Sequence, residues 1–262
     1  MNTSTTPSLP PRAIVLAAGR GERMRPLTDT TPKPLLPVFG RPLIEWHLLA
    51  LARGGVREVV VNTAWLEDCF PAVLGDGARF GLAIRYSHEG RDFGGALETA
   101  GGIATVQDWL CADGRDAFWV VSGDIWAPDF RFDQARVDDF LASGQDARLW
   151  VVPNPPYHPR GDFDLAGEAG GSLTGGDGQA LEFCDQLLVL LGFDAARVEA
   201  GGGFGAARLE VGEFTADEFE TLALFGEGKA DVAERVAAIK NLEDQIADLE
   251  KKIAAEFEEA PA

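Results

Sequence analysis

Between Gly19 and Lys33 the chain sets two glycines, three arginines (Arg20, Arg23, Arg25) and one lysine, a combination suited to gripping a polyanion. Gly19 and Gly21 free the backbone to wrap closely around a ligand with its N–H groups outward. The arginines add forked donors for phosphate oxygens. Lys33 is the only lysine before Lys229, in a stretch that otherwise uses arginine for every positive charge, so a compact ammonium here is distinctive. A nucleoside triphosphate is the natural ligand of such a set. Asp124 is the second candidate: it follows the apolar run Phe118–Val121 and the small pair Ser122-Gly123. Mg2+ takes one or two carboxylates and completes its shell with phosphate oxygens and water, so a carboxylate beside a triphosphate cradle reads as its holder. A turn aspartate occupies the same place for structural reasons alone. Two established phosphate motifs are excluded. A dinucleotide fingerprint needs a third glycine where Met24 stands, and a P-loop needs Gly-Lys-Ser/Thr opening a helix.

These residues need elements to hold them. Apolar runs at Ala13–Leu16, Glu58–Asn62, Leu82–Tyr86, Ala117–Val121 and Ala147–Val152 read as strands. Segments with helical spacing fall between them: Leu43–Arg53 ending at Gly54-Gly55, Leu66–Leu74, about Thr99 to Trp109, and Gln134–Leu141. Such alternation predicts an α/β fold, a mostly parallel sheet with helices on both faces and ligands at the carboxyl ends of the strands. The glycine loop, Asn62 and Asp124 each lie at such an end and are expected to converge on one crevice. His47 is expected to pack or face solvent on its helix, and His88 and His158 to sit in loops without the spacing of a zinc site or a nucleophilic triad.

The string Gly19-Arg20-Gly21-Glu22-Arg23-Met24-Arg25-Pro26-Leu27-Thr28, with Pro32-Lys33-Pro34-Leu35 beyond it, resembles the signature of the sugar-1-phosphate nucleotidyltransferases. Gly40-Arg41-Pro42-Leu43, Leu97-Glu98-Thr99-Ala100-Gly101-Gly102 and Ser122-Gly123-Asp124 follow in the family's order, and the resemblance runs from about Arg12 to about Phe183. Ala64-Trp65-Leu66 and the stretch from Asn154 to Phe163 lean toward the bacterial branch that makes UDP-N-acetylmuramic acid from N-acetylmuramate 1-phosphate in cell-wall recycling. The catalytic motifs alone equally suit a mannose-1-phosphate guanylyltransferase.

The resemblance implies a Rossmann-like, mixed but mostly parallel sheet, UTP (or GTP) and a sugar 1-phosphate as substrates, and Mg2+ as cofactor. By the same likeness Arg25, Lys33 and Asp124 are the catalytic residues, with Asp124 on the metal. Leu16, Ala17, Ala18, Gly19, Gly21, Glu89 and Thr99 would contact the nucleotide, and Asn62 and Gly161 the sugar. Arg91 to Ala96 is longer than the family pattern, and the loop from Leu97 to Gly102 falls in the base-recognition region. Relatives carry a later Trp-x-Asp-Val-Gly-Thr-Pro motif with a second metal-binding aspartate. This chain has neither that motif nor any tryptophan after Trp150. A nucleotide-binding or assembly protein with impaired catalysis therefore stands beside the enzyme reading.

Composition sets outer bounds. With 262 residues, 46% of them hydrophobic, the chain can bury a full core. A net charge of -19 argues against nucleic-acid binding, which needs a positive face. No stretch approaches the roughly 20 apolar residues of a membrane span. Residues 1–11 read as a floppy leader with no signal-peptide pattern, and Cys69, Cys111 and Cys184 lie far apart, so reduced thiols and a cytoplasmic protein are expected. Residues 12–183 form the expected nucleotidyltransferase domain. From Gly178 onward 19 acidic residues face 7 basic ones, and 184–228 resists placement. Val232, Ile239, Leu242, Ile246, Leu249 and Ile253 follow three-four spacing, so 229–262 reads as a long amphipathic or coiled-coil helix able to make a homo-oligomer.

Overall fold

The computed structural model describes residues 9–145 and 147–150, together with four further strands: Phe163–Ala166, Ser172–Gly175, Leu188–Gly192 and Leu209–Val211. Gly161, and the helix expected over 229–262, lie outside the described residues.

Strand β1 (Arg12–Leu16) is apolar after its first residue and buried on both faces, as a central parallel strand must be. A short hairpin, β2 (Pro37–Val38) and β3 (Arg41–Pro42), leads into α1 (Leu43–Arg53), which keeps the bounds expected from its period. The order continues β4 (Glu58–Thr63), α2 (Cys69–Leu74), β5 (Ala83–His88), α3 (Glu89–Phe93), α4 (Glu98–Leu110), β6 (Ala117–Ser122), α5 (Gln134–Ser143) and β7 (Ala147–Trp150). Four strands follow: β8 (Phe163–Ala166) and β9 (Ser172–Gly175), which pair with each other, then β10 (Leu188–Gly192) and β11 (Leu209–Val211).

The main sheet has seven strands in the order β11-β7-β10-β6-β1-β4-β5. Strands β4 and β6 flank β1 in parallel, with Leu16 level with both Asn62 and Ser122. Three strands thus end side by side, and the loops that leave them share one crevice. Among the described strands of this sheet only β10 runs antiparallel, wedged between β6 and β7. The sheet is mixed and mostly parallel, as expected, and 184–228 contributes two of its strands.

One face is covered by α1 and α2. Ile44, Leu48 and Leu51 of α1 and Phe70 and Leu74 of α2 are buried in one cluster with Val15, Val59, Val61, Trp119 and Val121. The crossover from β5 to β6 steps back past β4 and β1, so a right-handed connection puts α4 on the opposite face, where it packs against β1. Among the described residues no helix is long and apolar enough to cross a membrane, and Cys69 and Cys111 are free thiols.

Three local expectations change. Helix α2 begins at Cys69 because Leu66 takes a left-handed φ of 49° in the preceding turn, which interrupts the helix. His88 closes β5 and does not sit in a loop. Gly101 and Gly102 lie inside α4, so the expected base loop is shorter and Thr99 belongs to the helix's first turn. His47, expected either to pack or to face solvent, is fully buried.

Candidate active site

The Leu16 carbonyl accepts a 2.8 Å hydrogen bond from the Gly123 N–H, which stitches the loop after β1 to the turn carrying Asp124. A Cβ on Gly123 would stand 2.8 Å from that same oxygen, so only glycine allows the approach. Next, the Ala17 N–H is shared between the backbone carbonyl and Oδ1 of Asn62, both at 3.0 Å. Past that point the pairing stops. The N–H groups of Ala18, Gly19, Arg20 and Gly21 have no acceptor among the described residues. Gly21 sits at φ 63°, and a Cβ there would come within 2.9 Å of Thr28 Cγ2. Thr28 in turn donates its hydroxyl to the Gly21 carbonyl at 2.8 Å and holds the loop open from below.

Across the opening, Lys33 Nζ meets Asp124 Oδ2 at 2.5 Å, with both side chains about three-quarters buried. Lys33 is positioned by the 3-10 turn Lys33–Leu35, whose Pro34 and Leu35 are buried. The Asp124 turn is pinned from beneath. His47 Nε2 lies 2.9 Å from the Ile125 carbonyl and, facing an acceptor, must carry the hydrogen. Burial pushes the His47 pKa down to about 4, against the opposing pull of the Ile125 bond and the Asp124 charge, so the ring is neutral at physiological pH. Among the described residues no group of three or more metal-type ligands occurs. Asp124 is a single carboxylate beside the open loop, and Mg2+ takes one or two carboxylates with phosphate oxygens and water, so the residue fits such an ion.

A cavity of about 470 Å³ opens beside the glycine loop, lined among others by Ala18, Arg20, Trp65, Glu67, Gly94 and Gly95. The Arg20 guanidinium lies over the Trp65 ring at 4.8 Å, and Trp65 Nε1 donates to the Thr28 carbonyl at 3.0 Å. The indole is thereby fixed as a wall, with a cation resting on it. Arg25 is half exposed and pairs with Asp29 at 3.2 Å.

Glu89 is wholly buried. One carboxylate oxygen accepts from Asn62 Nδ2 and the other from the Leu97 N–H at 2.8 Å. Burial raises its pKa, and the two hydrogen bonds pull the other way. Asn62 is 1% exposed, so both side chains lie beneath the crevice.

Leu16, Ala17, Ala18, Gly19, Gly21, Lys33 and Asp124 thus come together at the ends of β1 and β6. Asn62 and Glu89 sit under them, Arg25 is bound to Asp29, and Thr99 lies in the first turn of α4. Sequence reasoning gave His47 and Thr28 no role of their own and read Gly102 as part of a base loop, not as a close approach to Asn62 and Glu89. Only Gly102 left a trace, a glycine pair inside an otherwise helical pattern, which signals a close approach.

Residues 12–161 match the family described as Nucleotidyl transferase. The N-acetylmuramate alpha-1-phosphate uridylyltransferase of Neisseria meningitidis serogroup B is 48% identical over 170 residues, covering 64% of this chain and 71% of that one. The mannose-1-phosphate guanylyltransferase of Mycobacterium tuberculosis is 39% identical over 141 residues, covering 53% of this chain and only 36% of its own length. In fold, a Bacillus anthracis protein provisionally assigned as a glucose-1-phosphate thymidylyltransferase superposes with a TM-score of 0.61 at 19% identity, covering 78% of this chain and 87% of that one. With its crevice at the carboxyl ends of parallel strands, its open N–H loop and the matched span, the chain belongs to the nucleotidyl transferase family.

Proposed function

We propose that the protein transfers a uridylyl group from UTP to a sugar 1-phosphate, with N-acetylmuramate 1-phosphate as the acceptor, giving a UDP-sugar and pyrophosphate in cytoplasmic cell-wall recycling. The observation that carries the reading is the Lys33–Asp124 pair at 2.5 Å facing a loop of unpaired N–H groups. It is a charge couple that a phosphate and a cation can part between them.

An oxygen of the sugar phosphate attacks the α-phosphorus of UTP. A new P–O bond forms, the bond to the β-phosphate oxygen breaks, and pyrophosphate carries away the electron pair. No protein nucleophile takes part, so the work is positioning and charge stabilisation. The N–H groups of Ala18 to Gly21 hold the triphosphate, and Gly19 adds no side chain to that surface. Lys33 releases Asp124 and turns to the α-phosphate, where negative charge grows in the transition state. Arg25 leaves Asp29 for the outer phosphates. Asp124 would hold Mg2+, which would supply charge neutralisation at the phosphates. The base enters the cavity against Trp65. Asn62 and Glu89 support this arrangement from below, and Gly161 belongs to the sugar side.

Pyrophosphate release measured with Mg2+, UTP or GTP, and a panel of sugar 1-phosphates tests the reading. Turnover with UTP and N-acetylmuramate 1-phosphate supports it. Turnover with GTP and mannose 1-phosphate moves the assignment to the guanylyltransferase branch, to which the mycobacterial relative belongs. UTP binding without turnover on any acceptor leaves only a binding protein.

A further inference from the structure

Beneath the crevice a continuous line of buried hydrogen bonds joins the phosphate loop to the cavity wall. It runs from the Ala17 N–H to Asn62 Oδ1 at 3.0 Å, from Asn62 Nδ2 to Glu89 Oε1, and from the other Glu89 oxygen to the Leu97 N–H at 2.8 Å. The polarity of this line is forced at both ends, because Ala17 and Leu97 each present a backbone donor. Asn62 must turn its oxygen toward Ala17 and hence its amino group toward Glu89. Glu89 must then accept on both sides, which a carboxylate does and a carboxamide cannot.

Two features show that the surrounding structure is built around this line. Asn62 and Glu89 are 1% and 0% exposed, where an unpaired polar group is costly. Helix α4 passes directly over them at Gly102, where a Cβ would collide with Asn62 Nδ2 and stand 2.7 Å from Glu89 Oε1. The ends of the line are the first N–H of the glycine loop and the residue that closes the segment Gly94–Ala96 lining the cavity. A nucleotide lying across the crevice would rest its triphosphate on the first loop and its base against the second.

The geometry points to Asn62 and Glu89 as positioning residues that hold the base-side wall in register with the phosphate cradle, so that one nucleotide engages both at once. The inference rests on the nucleotide reading above and assigns these two residues no contact with the ligand. Joined ends of one ligand gain affinity from simultaneous engagement, and that gain is lost when the two sites drift apart. A probe that touches only one loop loses nothing.

Binding of two probes, UTP and inorganic tripolyphosphate, each with Mg2+, is measured by calorimetry. Glu89→Gln sets a carboxamide N–H against one of the two donors. It is expected to weaken UTP about tenfold while tripolyphosphate stays within about twofold. Gly102→Ala presses on the same line from above and is expected to give the same pattern, which keeps the test open if Glu89→Gln does not fold. The reciprocal pair Asn62→Asp with Glu89→Gln rebuilds every hydrogen bond with the charge moved to position 62. It is expected to recover UTP binding to within about threefold. A purely structural role predicts equal weakening of both probes, or a lower melting temperature with both affinities intact, and either result overturns the inference. So does a folded double variant that stays as weak as Glu89→Gln. Wild-type protein that binds neither probe sinks the nucleotide reading itself, whereas wild-type binding with an indifferent Glu89→Gln sinks this inference alone.

Discussion

The two ends of β1 are treated in opposite ways. At its amino end Arg12 is 6% exposed and every guanidinium nitrogen is engaged: Nε with Glu58 at 3.0 Å, one terminal nitrogen with Asp113 at 2.9 Å, the other with the Trp109 carbonyl. Arg115 closes the network through the same two carboxylates at 3.3 and 3.0 Å. At its carboxyl end, about 13–17 Å along a strand of this length, four successive N–H groups have no acceptor among the described residues. The same β-sheet thus closes its hydrogen-bond accounts at one end and leaves them open at the other. Saturated charge at a strand end favours stability, while unsaturated donors and a separable ion pair favour a ligand. Substitutions at the two ends should accordingly divide into those that change melting and those that change turnover.

The largest effect is expected from Lys33→Ala. Removing a cation aimed at the transferring phosphate should lower kcat by about 10²–10³-fold, the range seen when one charge-stabilising donor is deleted. The melting temperature should move little, because Asp124 is a quarter exposed and can take up water. Steady-state pyrophosphate release and a thermal melt on the same preparation check both halves. A large loss of stability with kcat intact would move Lys33 to the structural end of the comparison.

Next in size is the pH dependence at His47, beneath the active end. Its pKa falls from 6.5 to about 4 on folding, so below pH 6.5 the unfolded chain takes up a proton that the native ring refuses. The stability His47 contributes is full above pH 6.5, declines as the pH falls, and is exhausted near pH 4. The total is on the order of 3 kcal/mol. Glu89, with its pKa raised by burial, works in the opposite sense and gains stability on acidification, so the bare pH profile mixes the two. Urea titrations of wild type and His47→Gln isolate the histidine: their difference in unfolding free energy should shrink from pH 7 to pH 4.5. A constant difference would show that the ring titrates equally in both states.

At the closed end, Arg12→Leu should cost about 2 kcal/mol, less than a fully buried pair because Glu58 and Asp113 are 36% and 62% exposed and can rehydrate. That corresponds to a melting temperature lower by roughly 4–8 °C. The KM for UTP should not change. A raised KM would mean that the two ends of β1 are coupled after all.

What the sequence made legible at the active end was its covalent neighbourhood. Gly19, Gly21, Lys33 and Asp124 were readable because loop chemistry is written in local residue types, and α1 because eleven residues kept one apolar period up to Gly54-Gly55. What escaped was set by distant partners. Glu89 was placed toward the base, but its direction is decided by Asn62, 27 residues earlier, and by the Leu97 N–H. His47 was left open between packing and solvent because nothing in its helix announces the Ile125 carbonyl 78 residues away. The antiparallel β10 was invisible for a similar reason: its five residues gain their place only by pairing with β6 and β7 on either side.

The smallest expected effect lies at Arg25, and it sharpens the comparison most finely. Arg25 and Asp29 are 52% and 50% exposed, so their 3.2 Å pair is worth well under about 1 kcal/mol and holds nothing together. If the arginine belongs to the ligand, Arg25→Ala should leave the melting temperature unchanged and raise the KM for UTP only about three- to fivefold. The difference should also fade with salt, since an exposed guanidinium acts through water and the screening length drops from about 30 Å at 0.01 M to about 3 Å at 1 M ionic strength. Lys33, three-quarters buried, should keep its effect on kcat across the same range. KM and kcat for both variants along a potassium chloride series therefore distinguish an outer charge that gathers the triphosphate from an inner one that acts on the reacting phosphorus. Parallel salt curves for the two variants would count against that division.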